Sequence, residues 1–353
     1  MRSDALAQTL SLDQVNEIVR HWDVGLVKEI ATMSGGSRTN SKSRVVCEGG
    51  TFVLKRRQSH ATDIERVRFA HQVMLTAGNA GLPIARVQVA RDQSTFQVCE
   101  GGIYELFLFL SGERWRRLPN QAREAGRALA TLHHAAFNMP WHGNVKASCF
   151  HGNLIVVEAL RRVPAAVLAQ QPHAAQSPLM DLCQQLSNLY QHASEQVDDL
   201  GYDQLDSQVV HGDWHPGNIL FDGERVSGVL DFDSARLVPA IADVANGLLQ
   251  YSVRAGPSRA IDNWPHELDE ALLLGFTRGI ASVDSGALLK LVRMVPWLMI
   301  EACIAEASIP IAKSGMFAII PGDKMLALIL RRALWIQSNA VNLARIILSD
   351  CAP

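Results

Sequence analysis

His211-Gly212-Asp213-Trp214-His215-Pro216-Gly217-Asn218, followed shortly by Asp231-Phe232-Asp233, decides the reading of this chain. Between the two clusters, Ile219-Leu220-Phe221 reads as a strand, Asp222-Gly223-Glu224 as a tight turn, and Val226 through Leu230 as the returning strand. In an antiparallel hairpin the residue before the first strand lies beside the residue after the second. Local structure alone therefore brings Asn218 and Asp231 to one end. An amide oxygen and a carboxylate are hard ligands, suited to magnesium that keeps some waters and completes its shell with phosphate oxygens. Asp213 sits on the loop just before Asn218, placed to hold an attacking hydroxyl and accept its proton. A lone H-x-D carries little weight. The series H-x-D-x-x-x-x-N, hairpin, D-F-D is specific.

The 353 residues leave room for two lobes, each with its own core. Lys plus Arg number 33 against 35 Asp plus Glu, a formal net charge of −2. With no basic excess, neither nucleic acid nor a membrane surface is an expected partner. The six cysteines form no C-x-x-C pair and read as reduced, mostly buried thiols. The start, MRSDALAQTLSLDQ, lacks the apolar core of a signal peptide. The apolar stretch from Val295 to Ile311 is interrupted by Glu301 and Glu306, so a cytoplasmic chain without a spanning helix is expected.

Ser11-Leu12-Asp13-Gln14 resembles a capping box that opens a short helix. Leu26 to Thr32 reads as a strand, and Ser34 to Asn40 as a polar loop. Two segments, each beginning Val-Cys-Glu-Gly-Gly (Val46 to Lys55 and Val98 to Phe107), read as one hairpin solution used twice in an antiparallel sheet. Between them a helical stripe runs from Ile64 to Ala77, with Gly78 as its stop. From Leu118 onward helix dominates. Gln121 to Met139, Pro178 to Leu200, Glu267 to Gly279, Gly286 to Glu306 and Lys324 to Leu348 are the expected helices. Trp141 to Val163 reads as an irregular insertion with a short strand at Leu154 to Val157. The division expected is a nucleotide-binding N-terminal lobe, 1–110, and a catalytic and substrate-binding helical lobe, 111–353, joined through Leu108 to Leu118.

With these residues in view, the chain resembles the aminoglycoside phosphotransferase family, whose fold is shared with choline kinase, type II homoserine kinase and the protein kinases. The resemblance runs from about Leu26 to at least Tyr251. It is carried most specifically by His211-Gly212-Asp213-x-x-x-x-Asn218 and Asp231-Phe232-Asp233, with support from Tyr104 to Leu110 and from Leu129-Ala130-Thr131-Leu132-His133. It implies an α+β, two-lobed protein-kinase-like fold with a small antiparallel-sheet N-lobe and a larger helical C-lobe. By the same resemblance Asp213 is the catalytic aspartate, Asn218 and Asp231 hold Mg2+, and Lys55 meets the phosphates of ATP. The loop containing Gly35, Gly36 and Ser37 covers those phosphates, and hinge backbone near Leu108 and Leu110 holds adenine. Two departures stand out. The loop is not G-x-G-x-x-G. The helix glutamate that pairs with the lysine is missing, since the family spacing points near Ala70 and His71; Glu65, the nearest acid, fits a capping box instead.

Plain readings compete at several positions. His211 reads as a loop brace rather than a base, and His215 as a rim residue. His142-Gly143-Asn144 and His151-Gly152-Asn153 read as turn chemistry, because an amide stands where an acid is needed. Asp233 either touches a second magnesium or makes a cap or ion pair. Asp243 opens a helix or braces the catalytic loop. Arg114, Arg116 and Arg117 read as a solvated face. Trp297 and Glu301 share a helix face and read as core packing rather than an ammonium site. The expected reaction is transfer of the γ-phosphoryl group of ATP to a hydroxyl of a small molecule. The alternative is a nucleotide-binding regulator of the same fold without turnover.

Overall fold

A computed structural model describes residues 10–33, 40–58, 63–99, 102–141, 143, 145–171, 176–254, 256, 260–284, 286 and 290–351. The first described element is α1 (Leu12–Val19), opened by the expected box: the Gln14 amide donates to Ser11 Oγ at 3.2 Å, and the Ser11 amide to Gln14 Oε1 at 2.9 Å. Strands β1 (Val27–Thr32), β2 (Asn40–Cys47), β3 (Gly50–Gln58), β4 (Gln97–Cys99) and β5 (Gly102–Leu108) form one antiparallel sheet in the order β1-β2-β3-β5-β4. The repeated Val-Cys-Glu-Gly-Gly falls at matching places in the sheet, since Cys47 pairs with Gly50 and Cys99 with Gly102; Glu100 and Gly101 lie outside the described residues. The inner face of the sheet and α1 bury Val15, Ile18, Trp22, Val45, Phe52, Leu54 and Leu106 in a cluster of their own.

Helix α2 (Asp63–Asn79) joins β3 to the second hairpin, but its apolar side belongs elsewhere. Phe69, Ala70, Val73, Met74 and Ala77 are buried in the larger core shared with the C-terminal helices. The helix thus ties the sheet to the helical lobe. That lobe comprises α3 (Pro119–Ala136), α4 (Leu154–Gln170), α5 (Gln176–Asp199), α6 (Ala240–Ser252), α7 (Glu270–Ala281), α8 (Val295–Ser314), α9 (Gly322–Ser338) and α10 (Ala340–Cys351). Helices α3 and α7 pack backbone to backbone: a Cβ on Gly126, Gly275 or Gly279 would run into the facing main chain. Between α5 and α6 lie two small ribbons that carry the site. Strand β6 (Gln208–Val210) pairs with β9 (Arg236–Val238), and β7 (Ile219–Asp222) with β8 (Arg225–Val229).

The helical lobe differs from expectation in three places. Residues 154–157 are not a strand but the first turn of α4. Asn153 caps that helix by accepting from the Ile155 amide, and Val156, Ala159, Leu160, Val163 and Val167 make its buried stripe. The helix expected from Gly286 to Glu306 is interrupted, and α8 starts afresh at Val295, where Pro296 sits at a favoured first-turn position. The helix expected from Lys324 to Leu348 is two helices that break at Asn339. Helix α8 is long and apolar enough to cross a membrane, yet 72% of its most apolar window is buried inside the fold, where it serves as a core helix.

Candidate active site

Strand β6 delivers the chain to His211-Gly212-Asp213 with the turn fixed from below. Asp243, in the first turn of α6, accepts from the amides of His211 at 2.9 Å and Gly212 at 3.0 Å, and meets His133 Nε2 of α3 at 3.1 Å. Burial alone would raise the Asp243 carboxyl; the His133 contact and the neighbouring His211 outweigh it and hold the group low. A carboxylate satisfied by three donors is a rigid post. Gly212 has φ +74°, and a Cβ there would strike the Ser234 carbonyl and lie 2.6 Å from Arg236 Nε. Only glycine fits this position.

His211 is completely buried between Trp214 and Phe232. Its Nε2 donates to the Leu230 carbonyl at 3.0 Å, and desolvation pushes its pKa down, so the ring is neutral. It joins the Asp213 loop to the residue before Asp231, which is the bracing task expected of it. His215 Nδ1 accepts from the Gly217 amide at 3.0 Å, leaving Nε2 3.7 Å from Asp213 Oδ2. Asp213 is part-exposed, and its pKa is lowered although burial opposes it, chiefly through His215. It is ionised at neutral pH.

The hairpin closes as predicted, with Ile219 opposite Val229 and the Leu230 amide donating to the Asn218 carbonyl at 2.9 Å. Asn218 Nδ2 donates to both the carbonyl (3.0 Å) and Oδ2 (3.1 Å) of Asp213. The amide nitrogen is thereby spent on Asp213, and the amide oxygen is left for another partner. Asp231 holds a left-handed conformation, φ 60° and ψ 66°, which aspartate tolerates better than most residues. Its Oδ2 meets Lys42 Nζ at 2.8 Å and its Oδ1 meets Lys55 Nζ at 3.5 Å. The two lysines outweigh burial and depress its pKa.

Lys55 lies 2.5 Å from Asp233, and Arg57 binds the other oxygen of the same carboxylate. Asp233 is therefore an ion-pair acceptor linking the sheet to the site. Lys55 takes Asp233 and Asp231 as its carboxylate partners in place of a helix glutamate. Helix α2 presents His71 instead to Glu105 of β5, which stands opposite Lys55 in the strand register and is fully buried. Glu105 accepts from His71 Nε2 at 2.8 Å and is gripped by both Arg57 Nε and Nη2. Burial would raise its pKa, but His71, Lys55 and Arg57 hold it well below the usual carboxylate range. Glu65 is exposed on α2. Glu105 and Lys42 were not among the sequence candidates. The signal for Glu105 was a single acid inside the apolar run Ile103-Tyr104-Glu105-Leu106.

At the join between lobes, the Leu108 amide is taken by the Arg86 carbonyl (2.8 Å) and the Phe109 amide by Thr51 (3.0 Å). Among the described residues the Leu110 amide has no such partner, so of the two expected hinge positions Leu110 is the one with a donor to offer. Phe109, Leu110 and Ser111 line an open groove of about 600 Å³ against Phe221 and Ser227 of the catalytic hairpin. Gly35, Gly36 and Ser37 lie outside the described residues, as do His142 and Asn144.

Near Asp213, Glu306 of α8 is exposed. Desolvation first, and then the negative charge of Asp213, push its carboxyl up to about 7. Gln250 of α6 donates to it. Glu301, one turn earlier on α8, is committed inside the protein: it accepts from His151 Nδ1 (2.9 Å) and the Gly152 amide (3.0 Å). Gly152 is left-handed and Asn153 caps α4, so that triplet is turn chemistry. Trp297 packs partly buried against His192. The arginine cluster is only partly a solvated face. Arg114 and Arg116 are exposed, whereas Arg117 lies over the Trp115 ring and donates to the Val253 carbonyl. Among the described residues no group of three His, Cys, Asp or Glu side chains is arranged to hold a metal unaided.

Residues 30–287 match the profile of the phosphotransferase enzyme family. A homoserine kinase from Brucella melitensis is 25% identical over 304 residues, covering 79% of this chain and 81% of its own. Among solved structures, an aminoglycoside phosphotransferase from Alicyclobacillus acidocaldarius superposes with a TM-score of 0.64 at 15% identity, covering 98% of this chain and 99% of that one. A choline kinase from Cryptosporidium parvum gives 0.60 at 12% identity, over 94% and 97%. These structural likenesses establish the two-lobed protein-kinase-like fold.

Proposed function

This chain belongs to the phosphotransferase enzyme family, and on that premise we propose that it transfers the γ-phosphoryl group of ATP to a hydroxyl of a small molecule. The observation that carries the proposal is the convergence of Asp213, Asn218 and Asp231 around one hairpin, with Lys55 reaching over from the sheet. The free amide oxygen of Asn218 and the carboxylate of Asp231 are two hard ligands, a set that fits magnesium sharing its shell with phosphates. Magnesium bound there supplies neutralisation of phosphate charge.

The remaining work belongs to the chain. Lys55 offsets charge on the transferring phosphate oxygens. Leu110 offers its amide to adenine. Asp213 is ionised, fixed by Asn218 and flanked by His215; it aligns the acceptor hydroxyl and takes its proton. Phosphoryl transfer needs little more than positioning and electrostatic stabilisation.

The homoserine kinase relatives, together with Glu306 facing Asp213 from α8, support an amino alcohol of the homoserine kind as the first acceptor to test. Above about pH 7 the Glu306 carboxyl is ionised, and a carboxylate is suited to an ammonium group. The experiment is 31P NMR of ATP, magnesium and protein with homoserine, simple amino alcohols, sugars and an aminoglycoside. The expected result is ADP and a new phosphomonoester with at least one of them. Tight nucleotide binding with no phosphomonoester from any acceptor would instead support a regulator without turnover.

A further inference from the structure

Lys42 stands on β2 directly opposite Lys55 on β3, so the two ammonium groups share one face of the sheet. Like charges placed opposite each other on paired strands repel. Here both point to Asp231, with Lys42 at 2.8 Å from Oδ2 and Lys55 at 3.5 Å from Oδ1. The arrangement is unequal. Lys55 has a second anchor in Asp233 at 2.5 Å, whereas the one ion pair of Lys42 among the described residues is with Asp231. The Lys42 side chain is mostly buried, with 22% exposure, and it reaches from the sheet into the catalytic hairpin.

A cation bound to Asp231 would compete with Lys42 for the same oxygen. The displaced ammonium would then lie beside the phosphates that share the metal. A lysine is a compact charge with three donors on a flexible four-carbon stem, so its head can move from carboxylate to phosphate without the strand moving. The sequence before β2, Ser34 to Thr39, is not G-x-G-x-x-G, and a lysine just beyond it supplies positive charge where the backbone amides of such a motif would otherwise serve.

We propose that Lys42 is a second phosphate-binding lysine, exchanging Asp231 for the polyphosphate of the nucleotide when metal and nucleotide bind. This inference rests on the reading that Lys55 and Asp231 form the metal–nucleotide site.

The test is isothermal titration of wild type, Lys42→Met and Lys55→Met with magnesium AMP-PNP, with adenosine as a phosphate-free control and Mn2+ alone as a probe of the acid. Lys42→Met is expected to weaken AMP-PNP at least about tenfold, as befits a lost charge-assisted contact. Adenosine affinity should be unchanged, which also shows that the variant is folded. Mn2+ should bind more tightly to Lys42→Met, because its competitor for Asp231 is gone. If AMP-PNP affinity is unchanged in Lys42→Met but falls in Lys55→Met, the inference is overturned and the site stands. If neither variant loses affinity, the reading of the site itself fails.

Discussion

Replacing Glu105 by Gln keeps the side-chain shape and removes one buried charge, and the structure sets the consequence. The carboxylate is fully buried and receives two Arg57 donors and His71. A carboxamide can accept with one oxygen only, so its NH2 must face a donor of Arg57 or His71. Removing one partner of a buried pair costs about 3–5 kcal/mol. Arg57 keeps Asp233, which places the expectation near the lower end, about 3 kcal/mol. The assay is urea unfolding of both proteins across pH. Because the folded-state pKa of Glu105 is depressed, its stabilisation is fully present above the unfolded value near 4.5 and is lost as pH falls toward the folded value. The gap between wild type and variant should therefore be full at pH 7 and narrow below about pH 4.5. A gap under about 1 kcal/mol at pH 7, or one that does not narrow in acid, would refute the argument that Glu105 is the buried counter-charge of Arg57 in the sheet.

Three further outcomes follow from the geometry. Gly212→Ala places a Cβ against the Ser234 carbonyl in a left-handed residue, so the unfolding midpoint should drop by the equivalent of more than about 2 kcal/mol; an unchanged midpoint contradicts the placement of the loop. Glu306, raised to about 7, is protonated below that pH and charged above it. Affinity for an ammonium-bearing acceptor should therefore rise as pH increases through about 7 in wild type, and titrations of Glu306→Gln should give a flat profile over the same range. Asp243→Ala leaves the His211 and Gly212 amides without their acceptor, and kcat should fall by at least about tenfold while nucleotide affinity is kept; unaltered kcat rules out the bracing assignment.

The elements legible in the sequence are those whose signals are local. The capping box at Ser11, the turn from Cys47 to Gly50 and the catalytic hairpin each depend on residues a few positions apart, and each forms as read. Helix α4 was obscured because Ile155-Val156-Val157 is a β-branched run and Pro164 interrupts the pattern. The helical spacing of Val156, Leu160, Val163 and Val167 beneath an Asn153 cap was the competing signal, and burial decides in its favour. The break before α8 was written in Pro296, which starts a helix more readily than it continues one. Glu105 and Lys42 were out of reach for a different reason. Their partners, Arg57, His71 and Asp231, come from other strands, α2 and the distant hairpin, so only register and tertiary packing reveal what each charge faces.

The central claim is that Asp213 aligns and deprotonates an acceptor hydroxyl beside a nucleotide held by other groups. The most direct measurement is kcat of Asp213→Asn, with the acceptor that best supports wild-type turnover, alongside AMP-PNP affinity of the same protein. The account predicts a fall in kcat of about 10²–10⁴ with affinity nearly unchanged. Turnover close to wild type would contradict it.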